Sequence, residues 1–426
     1  MTTPIPPGFR SLPISLVQLS LAAVLNCGQS FRWTTHPLPV VVGSDVHAFP
    51  THEYRLCLRD RVVCLRQSPE ALLYRSVFPE GHLSPTQEAV REAETLAWLK
   101  DYFQLDVDLV KLYDEWSSRD TVFRALRSRF PGIRMLRQDP WENLVSFICS
   151  SNNNIARITK MIHALCKHCS PPLLSLVPPE SASDTSPESV TYYPFPAPSM
   201  LAASEIASKL RALGFGYRAD FIQRTAQMLV DEHKEQNVTD TSAHDLEGPE
   251  KWLMTLRGTD TLRAREELLR FVGVGRKVAD CILLMSLDKR EVIPVDTHVH
   301  QIAMKHYGLR GSCGSNGKTA MTPKLYDEIN TKLVGIWGDY AGWAHSVLFT
   351  ADLKVFASYG MSESPLKPEA NPAYGSATSP STSSNKKRPR VKKELDAAAV
   401  AKPAESPHSS LAERVKKRRR TITVAA

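Results

Sequence analysis

Two side chains in this sequence invite covalent chemistry. Lys277 lies in FVGVGRKVAD (271–280), and Asp296 lies in IPVDTHVH (293–300). An unprotonated lysine amine attacks a carbonyl-like carbon and forms a Schiff base with it. A fixed carboxylate nearby stabilises the positive charge that develops when a bond to that carbon breaks. Each residue also has a plainer role, Lys277 as a phosphate contact and Asp296 as a helix N-cap. The residue types alone leave these roles open.

The glycines decide what kind of element carries the lysine. GVG is not a dinucleotide-binding loop, which needs a preceding strand and a third glycine where this chain has Val278. AREELLRFV before it has helical spacing, so about 264–287 reads as a helix-hairpin-helix, with Val278 and Ile282 on the buried face of the second helix. Glycines let the backbone approach a phosphate closely. The amides of Gly273, Gly275 and Val278 stand where a helix N-terminus attracts an anion. Lys277 falls in the first turn, where the positive end of the helix dipole disfavours an ammonium. Asp296 ends an extended approach and opens the next helix, and a capped carboxylate stays fixed and ionised. Asp296, His298 and His300 also resemble a metal cluster, but alternate helical residues point about 200° apart, so converging on one metal would need an extended segment.

The chain has 426 residues and a formal charge of +8, but residues 361–426 hold fourteen Lys/Arg against six Asp/Glu and account for all of it. The body is formally neutral, so any contact it makes with nucleic acid must come from local arrangement. The tail clusters KKRPRVKK (386–393) and RVKKRRR (414–420) favour nuclear import or loose DNA tethering. No apolar run is long enough for a membrane helix, and MTTPIPPGFRSLPISL lacks the features of a secretory signal. The eight cysteines then read as reduced thiols, and Cys166-Lys-His-Cys169 as helix-face residues without a second pair at zinc spacing. The expected location is the nucleus, with room left for a mitochondrial fraction.

Positioning these groups requires a scaffold. The runs VQLSLAAVL (17–25), SFRW (30–33), YRLCLRD (54–60) and RVVCLRQ (61–67) predict strands of an antiparallel sheet. Helical spacing begins near residue 86 and dominates from Asp139-Pro140, a plausible N-cap and N1 pair. The Pro- and Ser-rich stretch 170–199 reads as a surface insertion, GSCGSNGKTAMT (311–322) as a polar loop, and the chain beyond about 360 as a disordered tail. The expectation is an α+β fold: a sheet domain with helices over 1–135, a helical domain over 136–360, and a basic tail over 361–426.

Taken together, NCGQSFRW (26–33), SFICSSNNNIARI (146–158), LGFGYRADFI (213–222), GVGRKVAD…PVDTHVH and DYAGWAHSVLFTADL (339–353) closely resemble the eukaryotic 8-oxoguanine DNA glycosylase family of the helix-hairpin-helix DNA glycosylase superfamily. The match runs in order over most of residues 10–355. The resemblance implies a TATA-binding-protein-like antiparallel sheet domain packed on helical subdomains around a cleft. It implies a base-excision-repair glycosylase and abasic-site lyase that acts on double-stranded DNA carrying oxidised guanine opposite cytosine. Lys277 matches the Schiff-base nucleophile and Asp296 the catalytic carboxylate. Gly28 matches the residue whose carbonyl accepts the N7 hydrogen of the oxidised base, and Cys281 and Phe349 match the groups that sandwich it. Asn152 matches the filler of the vacated stack, Arg157 and Tyr217 the contacts to the estranged cytosine and the stack wedge, with Arg218 beside them. His298 matches a phosphate ligand. No cofactor is implied, although the hairpin carbonyls leave room for a structural cation. Relatives with an iron–sulfur cluster use four cysteines after the hairpin region, where this chain has only Cys281 and Cys313. A monomer is expected.

Two rival readings are a monofunctional alkylpurine glycosylase, which would need no lysine at the hairpin, and a non-catalytic hairpin protein, which would need neither Lys277 nor Asp296. One residue departs from the family pattern. His345 stands where the family usually has a glutamine that reads the Watson–Crick edge. Neutral imidazole has one donor and one acceptor, on different edges. Because histidine titrates near neutrality, the expectation from sequence is a steeper activity loss below pH 6.5 than in a His345→Gln variant.

Overall fold

The computed structural model describes residues 5–39, 49–79, 84–179, 188–233, 246–309, 311 and 321–361. All of them fall within one compact unit, Met1–Glu363. Most of the polar loop at 311–322 and nearly all of the basic tail lie outside the described residues.

The N-terminal half is organised by strands β1 (Arg10–Pro13), β2 (Thr34–Pro37), β3 (His52–Cys57), β4 (Val62–Gln67) and β5 (Ala71–Val77). They form one antiparallel sheet in the order β1-β5-β4-β3-β2. Period-two alternation sorts β4 cleanly. Val63 and Leu65 join Tyr54, Leu56, Leu72 and Tyr74 on one face, against Leu99, Tyr102 and Phe103 at the end of a long helix. Val62 and Cys64 face the other way, with Phe9, Cys57 and Leu73. Burial on both faces is why VVCL reads as a continuous apolar run rather than an alternating one.

Two of the four expected strands are absent. VQLSLAAVL contains the short helix α1 (Leu21–Val24), and SFRW precedes β2 rather than forming it. A short apolar run has the same pattern in a strand and in a helix buried on most sides. Leu21, Ala23 and Val24 are all fully buried. The sheet instead takes its edge strands from RSLP and TTHP, with ALLYRSV as an inner strand.

The 170–199 stretch is also more than a surface loop. Strands β6 (Leu174–Leu176) and β7 (Val190–Tyr192) pair antiparallel. Tyr192 is buried among Phe9, Cys57, Val62, Cys64 and Leu73 on the outer face of the main sheet. Arg55 of β3, itself 2% exposed, donates from Nη1 to the Val177 carbonyl at 3.0 Å. The insertion therefore covers one face of the N-terminal sheet, which explains how that face can be apolar.

Helices α2 (Pro85–Tyr102), α3 (Leu109–Arg119) and α4 (Thr121–Leu126) lead to the helical body. There α5 (Pro140–Ile148) starts as expected, with Asp139 accepting from the Glu142 amide at 2.8 Å and Pro140 in its first turn. The chain continues through α6 (Ile155–Cys169), α7 (Pro198–Ala202), α8 (Ile206–Ala212), α9 (Arg218–Glu232) and α10 (Gly248–Thr255). The hairpin helices α11 (Thr261–Leu269) and α12 (Arg276–Ser286) come next, then α13 (Thr297–Tyr307), α14 (Pro323–Trp337) and α15 (Ala341–Asp352). Helix α15 is buried over almost its whole length. Its Gly342 makes this possible: a Cβ there would lie 2.4 Å from both Leu284 Cδ1 and the Val292 carbonyl. No helix among the described residues is long and apolar enough to cross a membrane.

Candidate active site

The hairpin forms where the glycines require it. Gly273 has φ +85°, and a Cβ would meet the Phe221 ring at 2.4 Å, so the turn needs glycine on both counts. Gly275 is the N-cap of α12 and offers no side-chain cap, whereas α5, α6, α11 and α13 are capped by Asp139, Asn154, Asp260 and Asp296. The first amides of α12, including that of Val278, therefore remain for an anion. The Val278 side chain is itself buried in the core.

Lys277 projects from that first turn and is half-buried. Its Nζ lies 5.1 Å from the centroid of the Phe147 ring on α5. One turn further along, Cys281 is fully buried, and burial pushes its thiol up to about 11 against the opposing pull of Lys277. Asp296 performs the plainer role expected of it. Its Oδ1 accepts from the amides of His298 at 2.9 Å and Val299 at 3.0 Å, capping α13. The carboxylate is thereby fixed at the end of the extended Ile293–Val295 approach.

One cavity of about 780 Å³ is lined by Lys277, Asp296, Gly28, Cys281, His345 and Phe349. A cleft of similar size, about 850 Å³, lies beside Lys100, Arg134 and Arg290 and brings none of these residues together. Gly28 adopts φ +87°, a conformation that strains any residue with a side chain, and a Cβ there would also press on Ile155 Cδ1 at 2.8 Å. The neighbouring Gln29 is 2% exposed and clamps the turn in place. Its side chain donates to the Arg134 carbonyl and accepts from the Leu136 amide, both at 2.9 Å, and its own carbonyl accepts from Gln138 at 2.8 Å.

His345 departs from the pH behaviour expected of it. It is 7% exposed, and neither ring nitrogen has a well-formed hydrogen bond among the described residues. Its ring lies 5.9 Å from that of Phe349. Burial pushes the imidazole down to about 4, although Asp296 and the Gly342 backbone favour its charged form. The ring therefore stays largely neutral around pH 6.5, where the sequence expectation placed its titration. Activity of the wild type and of a His345→Gln variant will fall in parallel between pH 6.5 and 5, measured as initial rates on one substrate. Stability will separate them instead. The folded value lies below the unfolded one, so in that window the unfolded chain binds the extra proton. The wild type will lose about 3 kcal/mol relative to His345→Gln as pH falls from 6.5 to 4, read by denaturant unfolding.

Of the remaining residues His298 lines the cavity, whereas Asn152, Arg157, Tyr217 and Arg218 lie at or beside the turn between α5 and α6. Asn152 sits in the turn between α5 and α6 with φ +48°. Tyr217 is 48% exposed, and its hydroxyl donates to the Ser151 carbonyl at 3.2 Å. Arg157 is exposed, with Nη2 3.4 Å from the Gly214 carbonyl. His298 lines the cavity, with Nδ1 3.7 Å from the Asp352 carboxylate. Arg218 is a correction. It is 3% exposed, and its guanidinium donates to the carbonyls of Ser151 and Asn152 while stacking 4.6 Å from the Tyr217 ring centroid. It shapes the turn that presents Asn152 instead of reaching outward. The sequence pattern gave the arginine but not its burial. Phe147 was missed for a related reason: its spacing on α5 is that of any core residue, and only the packing places its ring beside Lys277.

Known proteins resemble this chain over most of its length. The family model for the 8-oxoguanine DNA glycosylase N-terminal domain matches residues 11–144. The model for the HhH-GPD superfamily of base excision DNA repair proteins matches residues 145–324. An N-glycosylase/DNA lyase of Saccharomyces cerevisiae is 35% identical over 362 residues, covering 81% of this chain and 86% of the yeast protein. An N-glycosylase/DNA lyase of Arabidopsis thaliana is 33% identical over 350 residues, covering 82% and 81%. Among solved structures, the 8-oxoguanine glycosylase/lyase of Clostridium acetobutylicum, in complex with double-stranded DNA containing cytosine opposite 8-oxoguanine, is 26% identical with a TM-score of 0.56. It covers 78% of this chain and 91% of its own.

Proposed function

Because this chain belongs to the eukaryotic 8-oxoguanine DNA glycosylase family and is a bifunctional DNA glycosylase and lyase, we propose that it removes 8-oxoguanine opposite cytosine through a Schiff base on Lys277. The observation that carries this reading is the convergence of Lys277 and Asp296 on one cavity whose other walls include Gly28, Cys281 and Phe349.

The duplex is held by phosphate contact at the uncapped start of α12, and the damaged nucleotide is flipped into the cavity. Gly28 offers its carbonyl to the N7 hydrogen that distinguishes the oxidised base. Leaving such an acceptor buried and unpaired against ordinary guanine costs about 1–3 kcal/mol. Lys277 attacks C1′ and the C–N bond to the base breaks, its electrons departing with the base. Asp296 stabilises the positive charge that develops on the sugar. The nitrogen then loses its proton and the C1′–O4′ bond opens, O4′ taking up a proton, to give the Schiff base; this acidifies the C2′ hydrogen, and its loss expels the 3′ phosphate by β-elimination. Asn152 would fill the vacated stack, and Arg157 and Tyr217 would contact the estranged base and wedge the stack. The family's solved relative with cytosine opposite 8-oxoguanine supports the choice of pair. The two basic clusters of the tail support a nuclear location.

Borohydride trapping tests this directly, on duplexes carrying 8-oxoguanine opposite cytosine, 8-oxoguanine opposite adenine, or undamaged guanine opposite cytosine. A covalent adduct is expected on the first, less on the second and none on the third. Equal trapping on all three, or free base released without any adduct, would overturn the reading.

A further inference from the structure

The cavity contains Lys277 and Asp296, but they come from different segments, and something must fix their spacing. The contacts that do so lie behind the cavity wall, on α14. Asp280 follows Lys277 by one turn of α12, is 1% exposed, and is a carboxylate with two committed oxygens. Oδ1 accepts from Arg265 Nε of α11 at 2.7 Å, and Oδ2 accepts from the Tyr326 hydroxyl of α14 at 2.6 Å. The same hydroxyl accepts from the amide of Val295 at 3.0 Å. Val295 immediately precedes Asp296.

The direction of this relay is unambiguous. Burial raises the Tyr326 phenol far above its usual range, so the hydroxyl keeps its proton and donates to Asp280 while receiving the Val295 N–H. One turn further along α14, Asn330 repeats the grip: its Oδ1 accepts from the Ile293 amide at 3.4 Å and its Nδ2 donates to the Ile293 carbonyl at 3.2 Å. Two residues one helical turn apart thus hold alternate positions of an extended segment. The amides of alternate extended residues point the same way, which is what lets one helix face hold both. Arg276 packs its guanidinium 4.1 Å from the Tyr326 ring centroid and pairs with Asp327 at 2.5 Å, so α14 is tied to the start of the lysine helix as well.

We propose that Tyr326 is a positioning residue for the glycosylase/lyase reaction. Seated on Asp280 of the lysine-bearing helix, its hydroxyl holds the Val295 amide and thereby sets Asp296 against Lys277. The inference rests on the roles assigned above to those two residues. Asn330 is the weaker second rung, because it holds the segment farther from Asp296.

Tyr326→Phe keeps the ring and its contact with Arg276 and removes only the hydroxyl. Displacing a reacting group by about 1 Å costs up to roughly 10²-fold. The measurement is the single-turnover rate at saturating enzyme, together with the half-saturating enzyme concentration, on an 8-oxoguanine:cytosine duplex and on a duplex carrying a preformed abasic site with borohydride. Tyr326→Phe is expected to slow both reactions on the order of 10- to 100-fold, with half-saturation within about twofold of wild type. Asn330→Ala is expected to slow them about 3- to 10-fold in the same manner. A folded Tyr326→Phe protein with wild-type rates and only a lower unfolding midpoint would make the hydroxyl merely structural and overturn the proposal. So would a loss confined to half-saturation. If Tyr326→Phe does not fold, a wild-type rate in Asn330→Ala overturns it. The abasic duplex separates this from the substrate assignment: wild type that traps on the abasic site but not on 8-oxoguanine refutes the lesion, while the variant's trapping rate still decides the positioning role.

Discussion

A Lys277→Gln protein will form no borohydride-trapped adduct and will lose strand cleavage at abasic sites, with base excision falling on the order of 10³-fold or more. The prediction follows from where the amine sits. It stands in the first turn of α12, its Nζ lies over the Phe147 ring, and among the described residues no carboxylate pairs with it. An amine held against an aromatic face and a buried thiol, with no ion pair to satisfy, is placed for chemistry rather than for stability. Glutamine has a side chain of comparable reach and good helix propensity, so folding and duplex affinity should be kept within about 1 kcal/mol. The checks are trapping gels, single-turnover excision and thermal unfolding on one preparation. If the variant binds more weakly by an order of magnitude and still excises at the wild-type rate, Lys277 is a phosphate contact.

The second large effect concerns Asp296, where two substitutions separate two roles. Asparagine caps helices as well as aspartate does, so Asp296→Asn should keep the hydrogen bonds to the His298 and Val299 amides while removing the charge. Its excision rate is expected to fall about 10²- to 10³-fold, the size of losing one group aimed at developing charge, with stability near wild type. Asp296→Ala should show the same loss of rate and, in addition, about 1 kcal/mol less stability, because α13 then starts uncapped. Denaturant unfolding and single-turnover kinetics on the pair settle the division. Wild-type excision by Asp296→Asn would reduce the residue to its cap.

How much of this was legible in the residues differs from place to place. The hairpin was readable because its determinants are local: a helical pattern, a glycine turn and a lysine just inside the next helix. Asp139 and Asp296 as caps were readable for the same reason, since a cap bonds amides only two or three positions away. The strands at 52–57 and 62–67 were visible as β-branched and aromatic runs between turns. By contrast, VQLSLAAVL could not be told from a strand, because only burial on several sides makes a short apolar run helical. The 170–199 stretch looked like surface until Tyr192 was seen packed on the far face of the sheet.

At the site the division is the same. Sequence determined which groups are available: Lys277, Asp296, Gly28, Cys281, His345 and Phe349 are fixed by type and order along the chain. It determined the local conformations that glycine and caps impose, because those energies involve near neighbours in the chain. Only the tertiary structure decided that His345 stays neutral, that Arg218 turns inward to the carbonyls of Ser151 and Asn152, and that Phe147 lies beside the amine. It also decided that Asp280, Tyr326 and Val295 join three helices and a loop into one frame. Burial, desolvation and hydrogen bonds between residues dozens of positions apart depend on distances through space, and the spacing of residues along the chain does not contain them.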